Sequence, residues 1–468
     1  MHGNIMIQTW RFITLAIAGI LSAEPALPSP AGVHFRPADH ALGDVHPFFD
    51  QGVCHLYYLK PGGFDVALAR SRDLLHWEEV RLAHIGPAPA GQMQPYYVLG
   101  VVRDPQAQVY RSYYGHARGR MVSSVSTNLI EWACAAEAHS IPPAEGYVRR
   151  RDPFVFWNEE DRRYWCVMTT QMGGLPKPKA GAVSYATSAD FTRWENRGVL
   201  LHPGNINEPE CPQMFRLAGR WYLLASIYDR AVGRPSYWIS DKATGPWKGQ
   251  PAGVLDGKDL CAAQVAWDGA RWVMLGWIPL TASKPGSQPW GGHLALPREV
   301  QVLPDGTLGT RLHGIVGKSI RGKVLLPPLE KELLLDEKVN RRTFVLPSND
   351  GRLDIELLLK PAEDCAQTGV VLDASAADEG IAVTIDLAHQ CLLVRGPGAE
   401  VWSDLPITAP AGQPLWLRII IEGDIVEAFL MDRYSLAARV PRRIKGGTLG
   451  VFADRGAVRV GEMRIHGL

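Results

Sequence analysis

A short pattern that recurs four times constrains the fold of this 468-residue chain more than any other feature. Each copy begins with Ser and ends with Trp, and neighbouring copies start about 50 to 60 residues apart, a period typical of repeat arrays such as propeller blades. The copies are Ser71–Trp77 (SRDLLHW), Ser126–Trp132 (STNLIEW), Ser188–Trp194 (SADFTRW) and the looser Ser240–Trp247 (SDKATGPW). They predict repeated copies of one supersecondary unit.

A second pattern recurs in phase with the first. A strand, a polar turn and an aromatic-rich strand follow one another, which indicates a β-hairpin. Five such hairpins are predicted, at residues 47–59, 99–115, 154–169, 213–227 and 264–277. With a further strand segment expected at each Ser-to-Trp copy, they predict five four-stranded blades, hence a five-bladed β-propeller over residues 31–320. An ordinary β-sandwich does not explain two patterns in phase.

The sequence changes character near residue 320. Residues 321–340 carry two adjacent prolines and mixed charges and are predicted to be a linker. Alternating residues with closely spaced turn signals then predict an antiparallel β-sandwich over residues 341–468. Its strands are expected at 352–360, 381–387, 415–431, 447–454 and 457–468. The predicted fold class is therefore all-β, a propeller followed by a C-terminal sandwich.

The N-terminus permits two interpretations. Residues 12–23 form an apolar run of signal-peptide length, too short to span a bilayer as a helix. This predicts that residues 1–30 are a signal peptide and leader and that the protein is secreted or periplasmic. The alternative is a start codon assigned too far upstream of a cytoplasmic enzyme.

Charge and composition exclude several function classes. The formal net charge is +1 with interleaved signs, so there is no basic field for nucleic acid phosphates or an anionic membrane. The seven cysteines lack zinc-ligand spacing, and no metal or other cofactor is predicted. Fifteen tryptophans suit a neutral sugar, although most Trp residues in β-rich proteins are core packing. The expected partner is a carbohydrate substrate, and a homodimer through the sandwich is a further prediction.

Three acids stand near the starts of predicted innermost strands: Asp44, Asp152 and Glu210. Because the first strand of every blade lines the central channel, carboxylates from blades one, three and four would converge there. Clustered like charges raise one pKa, so that a protonated acid stands beside a carboxylate, as glycoside hydrolysis requires. Taken singly, Asp44 and Asp152 could be turn residues. Glu208 competes with Glu210, because residues two apart on an extended chain share a face.

The motifs around these acids resemble glycoside hydrolase family 32, the invertase, inulinase and levanase family of five-bladed furanosidases. Arg151-Asp152-Pro153 resembles its RDP motif, and Glu210-Cys211-Pro212 its EC(P) motif, which favours Glu210 over Glu208. Further similarities are Asp259–Gln264 (DLCAAQ) to DFYAAQ, Trp290–Glu299 (WGGHLALPRE) to WRGxMSLPRE, and residues 423–430 to the sandwich strand SVEVFVN.

The resemblance implies roles for individual residues. Asp44 would be the nucleophile, Glu210 the general acid/base and Asp152 the transition-state stabiliser of a retaining mechanism. Arg151 would orient these acids or contact the sugar. The other predicted substrate-binding residues are His46, Asp259, Gln264 and Trp290.

The first motif departs from the family pattern. WMNDPNG is replaced by residues 41–47 (ALGDVHP), so the Asn before Asp44 and the Pro-Asn-Gly after it are absent. HLFYQ reads HLYYL at residues 55–59, residues 98–102 replace FSGS, and Cys261 replaces an aromatic residue of DFYAAQ. These are pocket positions, so the identity of the sugar stays open. His46 is a candidate replacement contact to a hydroxyl, or a turn histidine without a sugar role.

The sequence as a whole predicts a retaining glycoside hydrolase that cleaves terminal furanosides, with β-fructofuranosides the leading substrates. A fructosyl transferase on the same scaffold is one alternative, because sugar acceptors compete with water for a covalent intermediate. A furanosidase of another specificity, such as arabinofuranoside, is a second. The rival from another class is a carbohydrate-binding propeller without turnover, against which the retention of all three acids argues.

Overall fold

The protein is almost entirely β-structure. The computed structural model describes residues 32–62, 65–85, 99–115, 120–229, 232–248, 253–282, 290–375, 379–410 and 412–468. Helix within these ranges is confined to short segments, among them α1 (Lys177–Ala180) and α2 (Gly314–Ser319). This confirms the predicted all-β class. The predicted leader at residues 1–30 lies outside the described residues. In the ranges above, no helix is long and apolar enough to cross a membrane.

Five small sheets follow one another along the first part of the chain. Sheet 1 contains β1 (Gly43–Asp50), β2 (Val53–Leu59), β3 (Val66–Ser71) and β4 (Glu78–Val80). Sheet 2 contains β5 (Ala83–Ile85), β6 (Leu99–Asp104), β7 (Val109–Gly115), β8 (Met121–Ser126) and β9 (Glu131–Cys134). Sheet 3 contains β10 (Tyr147–Asn158), β11 (Arg163–Met172), β12 (Gly181–Ser188) and β13 (Glu195–Leu201).

Two further sheets complete this series. Sheet 4 contains β14 (Pro209–Leu217), β15 (Arg220–Asp229), β16 (Val232–Ser240) and β17 (Gly253–Val254). Sheet 5 contains β18 (Cys261–Trp267), β19 (Trp272–Pro279), β20 (Gly292–Leu294), β21 (Arg298–Val302) and β22 (Leu308–Leu312). Neighbouring strands pair antiparallel throughout, except that β5 pairs parallel with β9.

The five predicted hairpins are confirmed. They are the pairs β1–β2, β6–β7, β10–β11, β14–β15 and β18–β19. The first strand of each pair contacts the first strands of two other pairs: β1 contacts β6 and β18, β10 contacts β6 and β14, and β14 contacts β18. These contacts form a cycle of five strands.

The Ser-to-Trp pattern forms a turn and not the strand segment that the sequence suggested. In the first copy, the Ser71 hydroxyl at the end of β3 accepts a hydrogen bond from the Leu74 amide at 2.8 Å. Leu74 has a φ of +64°, which ends the strand. The same bond and the same positive φ recur at Ser126 with Leu129 and at Ser188 with Phe191. The closing Trp of each copy is buried, so the repeat stabilises the turn after the third strand.

Two larger sheets form the C-terminal part. One has the order β23 (Val324–Leu326), β35 (Val458–Gly467), β26 (Arg352–Pro361), β31 (Leu415–Glu422), β32 (Ile425–Leu430) and β33 (Tyr434–Arg439), with β24 (Leu333–Leu335) beside β35. The other has the order β25 (Arg341–Val345), β34 (Thr448–Asp454), β27 (Gln367–Leu372), β28 (Ile381–Asp386), β29 (Cys391–Arg395) and β30 (Val401–Pro406). One apolar cluster draws side chains from both sheets.

Two sequence expectations differ in detail here. The strand expected at 415–431 is the hairpin β31–β32, because Gly423 has a φ of +66° and turns the chain. Residues 321–340, predicted as a linker, contribute β23 and β24, both paired with β35.

A buried charge network joins β32 to sheet 5. Glu427 on β32 forms an ion pair with Arg298 on β21, and Arg298 also lies 3.0 Å from Asp256. The side chains of all three are fully buried. Glu427 also lies 2.8 Å from Nε2 of His34, in the segment that precedes sheet 1. Because an unpaired buried charge is costly, these partners hold the three segments together.

Removing the central cation of this network is expected to destabilise the protein strongly. Arg298→Met leaves Glu427 and Asp256 buried without their cation and should lower the free energy of unfolding by about 3–5 kcal/mol. Arg197→Met is the matched control, because Arg197 is half-exposed and pairs only with Glu195 among the described residues. It should cost about 0–1 kcal/mol. Denaturant unfolding followed by Trp fluorescence measures both, and equal losses would contradict the role of the network.

Candidate active site

Four of the five first strands carry a β-bulge at the same place. The pairing register shifts between Gly43 and His46 in β1, Arg151 and Phe154 in β10, Glu210 and Gln213 in β14, and Cys261 and Gln264 in β18. Each bulge holds one residue with positive φ: Asp44 (+38°), Asp152 (+50°), Cys211 (+50°) and Ala262 (+43°). A bulge re-aims side chains, and strained non-glycine residues of this kind cluster at functional sites.

The bulges define which positions of the strands are equivalent. Asp44 and Asp152 occupy the same strained position in β1 and β10. Glu210 stands one residue earlier in β14, the position held by Arg151 in β10, because Cys211 is the strained residue there. The sequence places each acid near the start of an innermost strand, and the structure puts Glu210 one residue earlier relative to its bulge than Asp44 and Asp152.

Arg151 gathers three carboxylates. Its Nη1 donates to Asp152, and its Nη2 donates to Glu210 Oε1 at 2.6 Å and to Glu208 Oε2 at 2.5 Å. The guanidinium is largely buried, and the three acids raise its pKa although burial opposes this. A single fixed cation thus holds Asp152 of β10, Glu210 of β14 and Glu208 just before β14.

One oxygen of the Asp152 carboxylate is held by hydrogen bonds, and the other is available to a ligand. Besides Arg151, its Oδ2 accepts hydrogen bonds from the Thr169 hydroxyl at 3.0 Å and from the Cys211 amide at 3.2 Å. The second of these is donated by the strained residue of the neighbouring first strand. Asp152 is buried, and its Oδ1 has no hydrogen-bond partner among the described residues. The geometry leaves Oδ1 as an acceptor for a ligand hydroxyl.

Asp44 holds its proton more tightly than an ordinary aspartate. Loss of hydration is the main cause, and the charges of Asp152 and then Glu210 add to it, so that the pKa rises to about 7. The Trp277 indole N–H, 3.4 Å from Asp44 Oδ1, and the charge of Arg151 act in the opposite direction. The site therefore places a strained, enclosed carboxyl among like charges.

The pKa of Glu210 is raised as well. Loss of hydration raises its pKa, Asp152 and Glu208 add to this, and Arg151 opposes it. Because the charge of Glu210 also raises the pKa of Asp44, the two carboxyl groups are expected to titrate as a coupled pair. Glu210 is one of the main charges that raise the pKa of Asp44, next after Asp152.

Two predicted residues meet just beyond the bulges. His46 and Gln264 are the first paired residues after the bulges of β1 and β18, and His46 Nδ1 lies 2.8 Å from Gln264 Oε1. Both are buried. Gln213, at the equivalent position of β14, donates to the same Gln264 oxygen at 3.3 Å. Burial lowers the pKa of His46 to about 4, so its ring is neutral at physiological pH.

Trp290 and Asp259 have different surroundings. The Trp290 ring lies over Gly43, where an added Cβ would come within 2.6 Å of it, and its centroid is 5.8 Å from that of Trp277. Trp290 therefore borders Asp44. Asp259 is fully buried and accepts a hydrogen bond at 2.8 Å from the Arg439 amide on β33. The structure turns Asp259 towards the C-terminal sheets.

The structure adds residues that the sequence reading did not single out. They are Trp277 beside Asp44, Thr169 and Cys211 beside Asp152, and Gln213 in the chain that leads to His46. Gln213 follows Glu210 by three residues, as Gln264 follows Cys261, and this spacing is a signal that could have found it. Nothing in the sequence marks the backbone N–H of Cys211.

One group in the described residues has metal-ligand types within reach of one another: Asp39, His40 and Glu79. His40 contacts Asp39 through Nδ1 and lies 3.3 Å from the Tyr58 hydroxyl through Nε2. That hydroxyl donates to Glu79 at 3.3 Å. The group is thus internally hydrogen-bonded.

Replacing the enclosed carboxyl should stabilise the fold in a pH-dependent manner. Asp44 has a pKa of about 7 in the folded protein, against an ordinary value of 3.8, so above pH 7 folding keeps a carboxylate where it is poorly hydrated. Asp44→Asn removes this cost, at most on the order of 4 kcal/mol. The gain should shrink as the pH falls below 7 and vanish below about pH 4, where both states are protonated.

Thermal unfolding over this pH range measures the effect. Asp241→Asn is the control, because the Asp241 side chain is 91% exposed and should change the melting temperature little at any pH. An Asp44→Asn protein that melts at the wild-type temperature above pH 7 would contradict the raised pKa.

Comparisons with known proteins agree with the motifs. The chain is 25% identical to the sucrose-6-phosphate hydrolase of Escherichia coli, over 91% of this chain and 88% of that protein. It is 23% identical to the levanase of Bacillus subtilis, over 99% of this chain and 75% of that protein. The crystal structure of the exo-inulinase from Aspergillus awamori superposes with a TM-score of 0.73 at 18% identity, over 94% of this chain and 98% of the other.

A family-level match covers more than half of the sequence. The N-terminal domain of glycosyl hydrolases family 32 matches residues 34–311, a range that includes all four bulged strands and the three acids. The motif resemblance is thereby confirmed, and this chain belongs to glycosyl hydrolase family 32.

Proposed function

We propose that this protein is a retaining β-fructofuranosidase that releases fructose from sucrose, fructo-oligosaccharides and fructans. One observation carries the proposal: three bulged strands gather Asp44, Asp152 and Glu210 around Arg151, and the pKa values of Asp44 and Glu210 are both raised. Relatives named for hydrolysis of sucrose-6-phosphate and for levan support the substrate class.

The architecture that we propose for this site is a five-bladed β-propeller over residues 31–320. Its support is the cycle of contacts among β1, β6, β10, β14 and β18, which would let the first strands surround one axial pocket. Residues 341–468 would form a β-sandwich, with β23 and β24 of the connector 321–340 completing one of its sheets.

In the first chemical step, Asp44 attacks the anomeric carbon as a carboxylate while Glu210 transfers its proton to the departing glycosidic oxygen. The C–O bond to the leaving sugar breaks, and a fructosyl ester of Asp44 forms. In the second step Glu210, now ionised, removes a proton from water, and the hydroxide oxygen displaces Asp44. Both steps invert the anomeric carbon, so the product retains its configuration.

This division requires Asp44 to be ionised, and its pKa of about 7 places that ionisation near neutral pH. The active form of the pair carries one proton, on Glu210, and a negative charge on Asp44. Arg151 supports Asp152 and Glu210 from one side, and Asp152 Oδ1 is positioned to accept a sugar hydroxyl as positive charge develops on the ring. The rate should therefore show a bell-shaped dependence on pH.

Replacing Glu210 should reduce turnover far more than replacing its neighbour. Glu210→Gln removes the proton donor and should lower kcat on sucrose by about 10²–10⁴-fold, whereas Glu208→Gln, which also contacts Arg151, should cost much less. Asp44→Asn should abolish fructose release. Sugar release from sucrose, inulin, levan and aryl arabinofuranosides is measured for the wild-type protein and for these three variants.

The panel also separates the alternatives. Release of arabinose alone would keep the mechanism and overturn the substrate, a result that the replacement of the usual Asn by Gly43 beneath Trp290 would explain. Sugar binding without any turnover would indicate a carbohydrate-binding propeller. Transfer of fructose to sucrose in preference to water would indicate a transferase.

Export and assembly are separate matters. We propose that the protein is secreted or periplasmic, and the support for this is the apolar run at residues 12–23. The homodimer through the sandwich stays a prediction.

A further inference from the structure

His46 stands where the family pattern has the Asn of Pro-Asn-Gly, two residues after Asp44. It is the first paired residue after the bulge of β1 and is 5% exposed. Its ring therefore lies beside the acids rather than in a surface turn. What this histidine can bind depends on which ring nitrogen carries the proton.

A chain of hydrogen bonds begins at the backbone and fixes the first amide. The Val265 N–H donates to Gln213 Oε1 at 2.5 Å, and Gln213 Nε2 donates to the Val265 carbonyl at 3.1 Å. Because a backbone N–H can only donate and a carbonyl can only accept, these two bonds determine which end of the Gln213 amide is nitrogen.

The same chain then fixes the histidine. Gln213 Nε2 also donates to Gln264 at 3.3 Å, so the atom of Gln264 that it meets is the oxygen. That oxygen lies 2.8 Å from His46 Nδ1, which must therefore carry the hydrogen. Since the low pKa of His46 keeps the ring neutral, Nε2 has a lone pair and no hydrogen.

Two hydrogen-bond acceptors in this part of the site are left without a donor. His46 Nε2 and Asp152 Oδ1 are buried and have no hydrogen-bond partner among the described residues. The two side chains lie near each other, since the charge of Asp152 acts on His46. Leaving such an acceptor without a donor is unfavourable by about 1–3 kcal/mol. Each atom is therefore suited to accept a hydrogen bond from a hydroxyl group of a ligand.

We propose that Nε2 of His46 accepts a hydrogen bond from one hydroxyl of the furanose ring that Asp44 attacks, and so makes His46 a specificity-determining residue. This inference rests on the proposed function. An asparagine amide at this position could offer a donor or an acceptor, whereas the fixed tautomer of His46 offers only an acceptor. The pocket should therefore demand a hydroxyl there and reject fluorine, which cannot donate.

The test is competitive inhibition of sucrose hydrolysis by fructose and by its monodeoxy and monodeoxyfluoro derivatives. In the wild-type protein, loss of one particular hydroxyl should weaken binding about tenfold or more, and fluorine at that carbon should not restore it. In His46→Phe, fructose itself should bind at least about tenfold more weakly than it does to the wild-type protein. Removing the same hydroxyl from fructose should then cause no further loss of affinity for this variant. His313→Phe, which replaces another buried histidine, just before α2, should behave as wild type.

Other outcomes would overturn the inference. If His46→Phe weakens the binding of fructose and of every derivative equally, the hydrogen-bond donor to His46 is a resident water molecule and not a hydroxyl of the sugar. If His46→Phe changes no inhibition constant, the histidine has only a structural role. A wild-type protein that neither hydrolyses sucrose nor binds fructose would instead refute the proposed function.

A second measurement does not depend on the stability of the variants. The side-chain ¹⁵N resonances of His46 in the wild-type protein should show a protonated Nδ1 and an unprotonated Nε2 near neutral pH. Gln264→Leu removes the acceptor and should relax this preference. A wild-type ring protonated at Nε2 would contradict the acceptor role.

Discussion

The β-bulge shared by β1, β10, β14 and β18 is the constraint on which the site depends. An extra residue in a strand turns one side chain out of the regular alternation, and its positive φ is unfavourable for any residue with a Cβ. Here the strained position holds Asp44 in one strand and Asp152 in another, and in a third it is the Cys211 amide that bonds to Asp152. The same local distortion thus supplies a carboxyl, its neighbour and a hydrogen-bond donor from three separate segments of the chain.

Such a site is unfavourable to form and must be stabilised by the rest of the molecule. Asp44 loses hydration beside two other acids, and the Trp277 N–H and the fixed cation of Arg151 oppose this. The stabilisation comes from elsewhere: the buried Trp residues of the Ser-to-Trp turns, the apolar core of the C-terminal sheets, and the Arg298 network between them. Beyond the bulges, Gln213, Gln264 and His46 form a directed chain of hydrogen bonds in which each partner fixes the next.

The hairpins could be predicted because alternation and turn residues are local properties of the sequence. The acids could be predicted from their phase with the repeat and from the family motifs. The bulges could not, since the extra residue becomes apparent only when the pairing partner is known, and the offset of Glu210 follows from that. Asp259 sits in a recognisable motif, yet its contacts with Arg439 come from a distant strand. The Ser-to-Trp pattern suggested strands because each copy follows a predicted hairpin, whereas the hydrogen bond to the Ser71 hydroxyl makes a turn there.

In the proposed mechanism Asp44 becomes covalently linked to the sugar while Glu210 transfers the proton. The most direct measurement is mass spectrometry of the Glu210→Gln protein after reaction with a fructosyl fluoride, whose leaving group needs no proton. We expect the fructosyl-enzyme to accumulate, because no base remains to activate water, and the peptide containing Asp44 to gain one hexosyl unit. An adduct on the peptide containing Asp152, or turnover to a product of inverted configuration with no adduct, would contradict this mechanism.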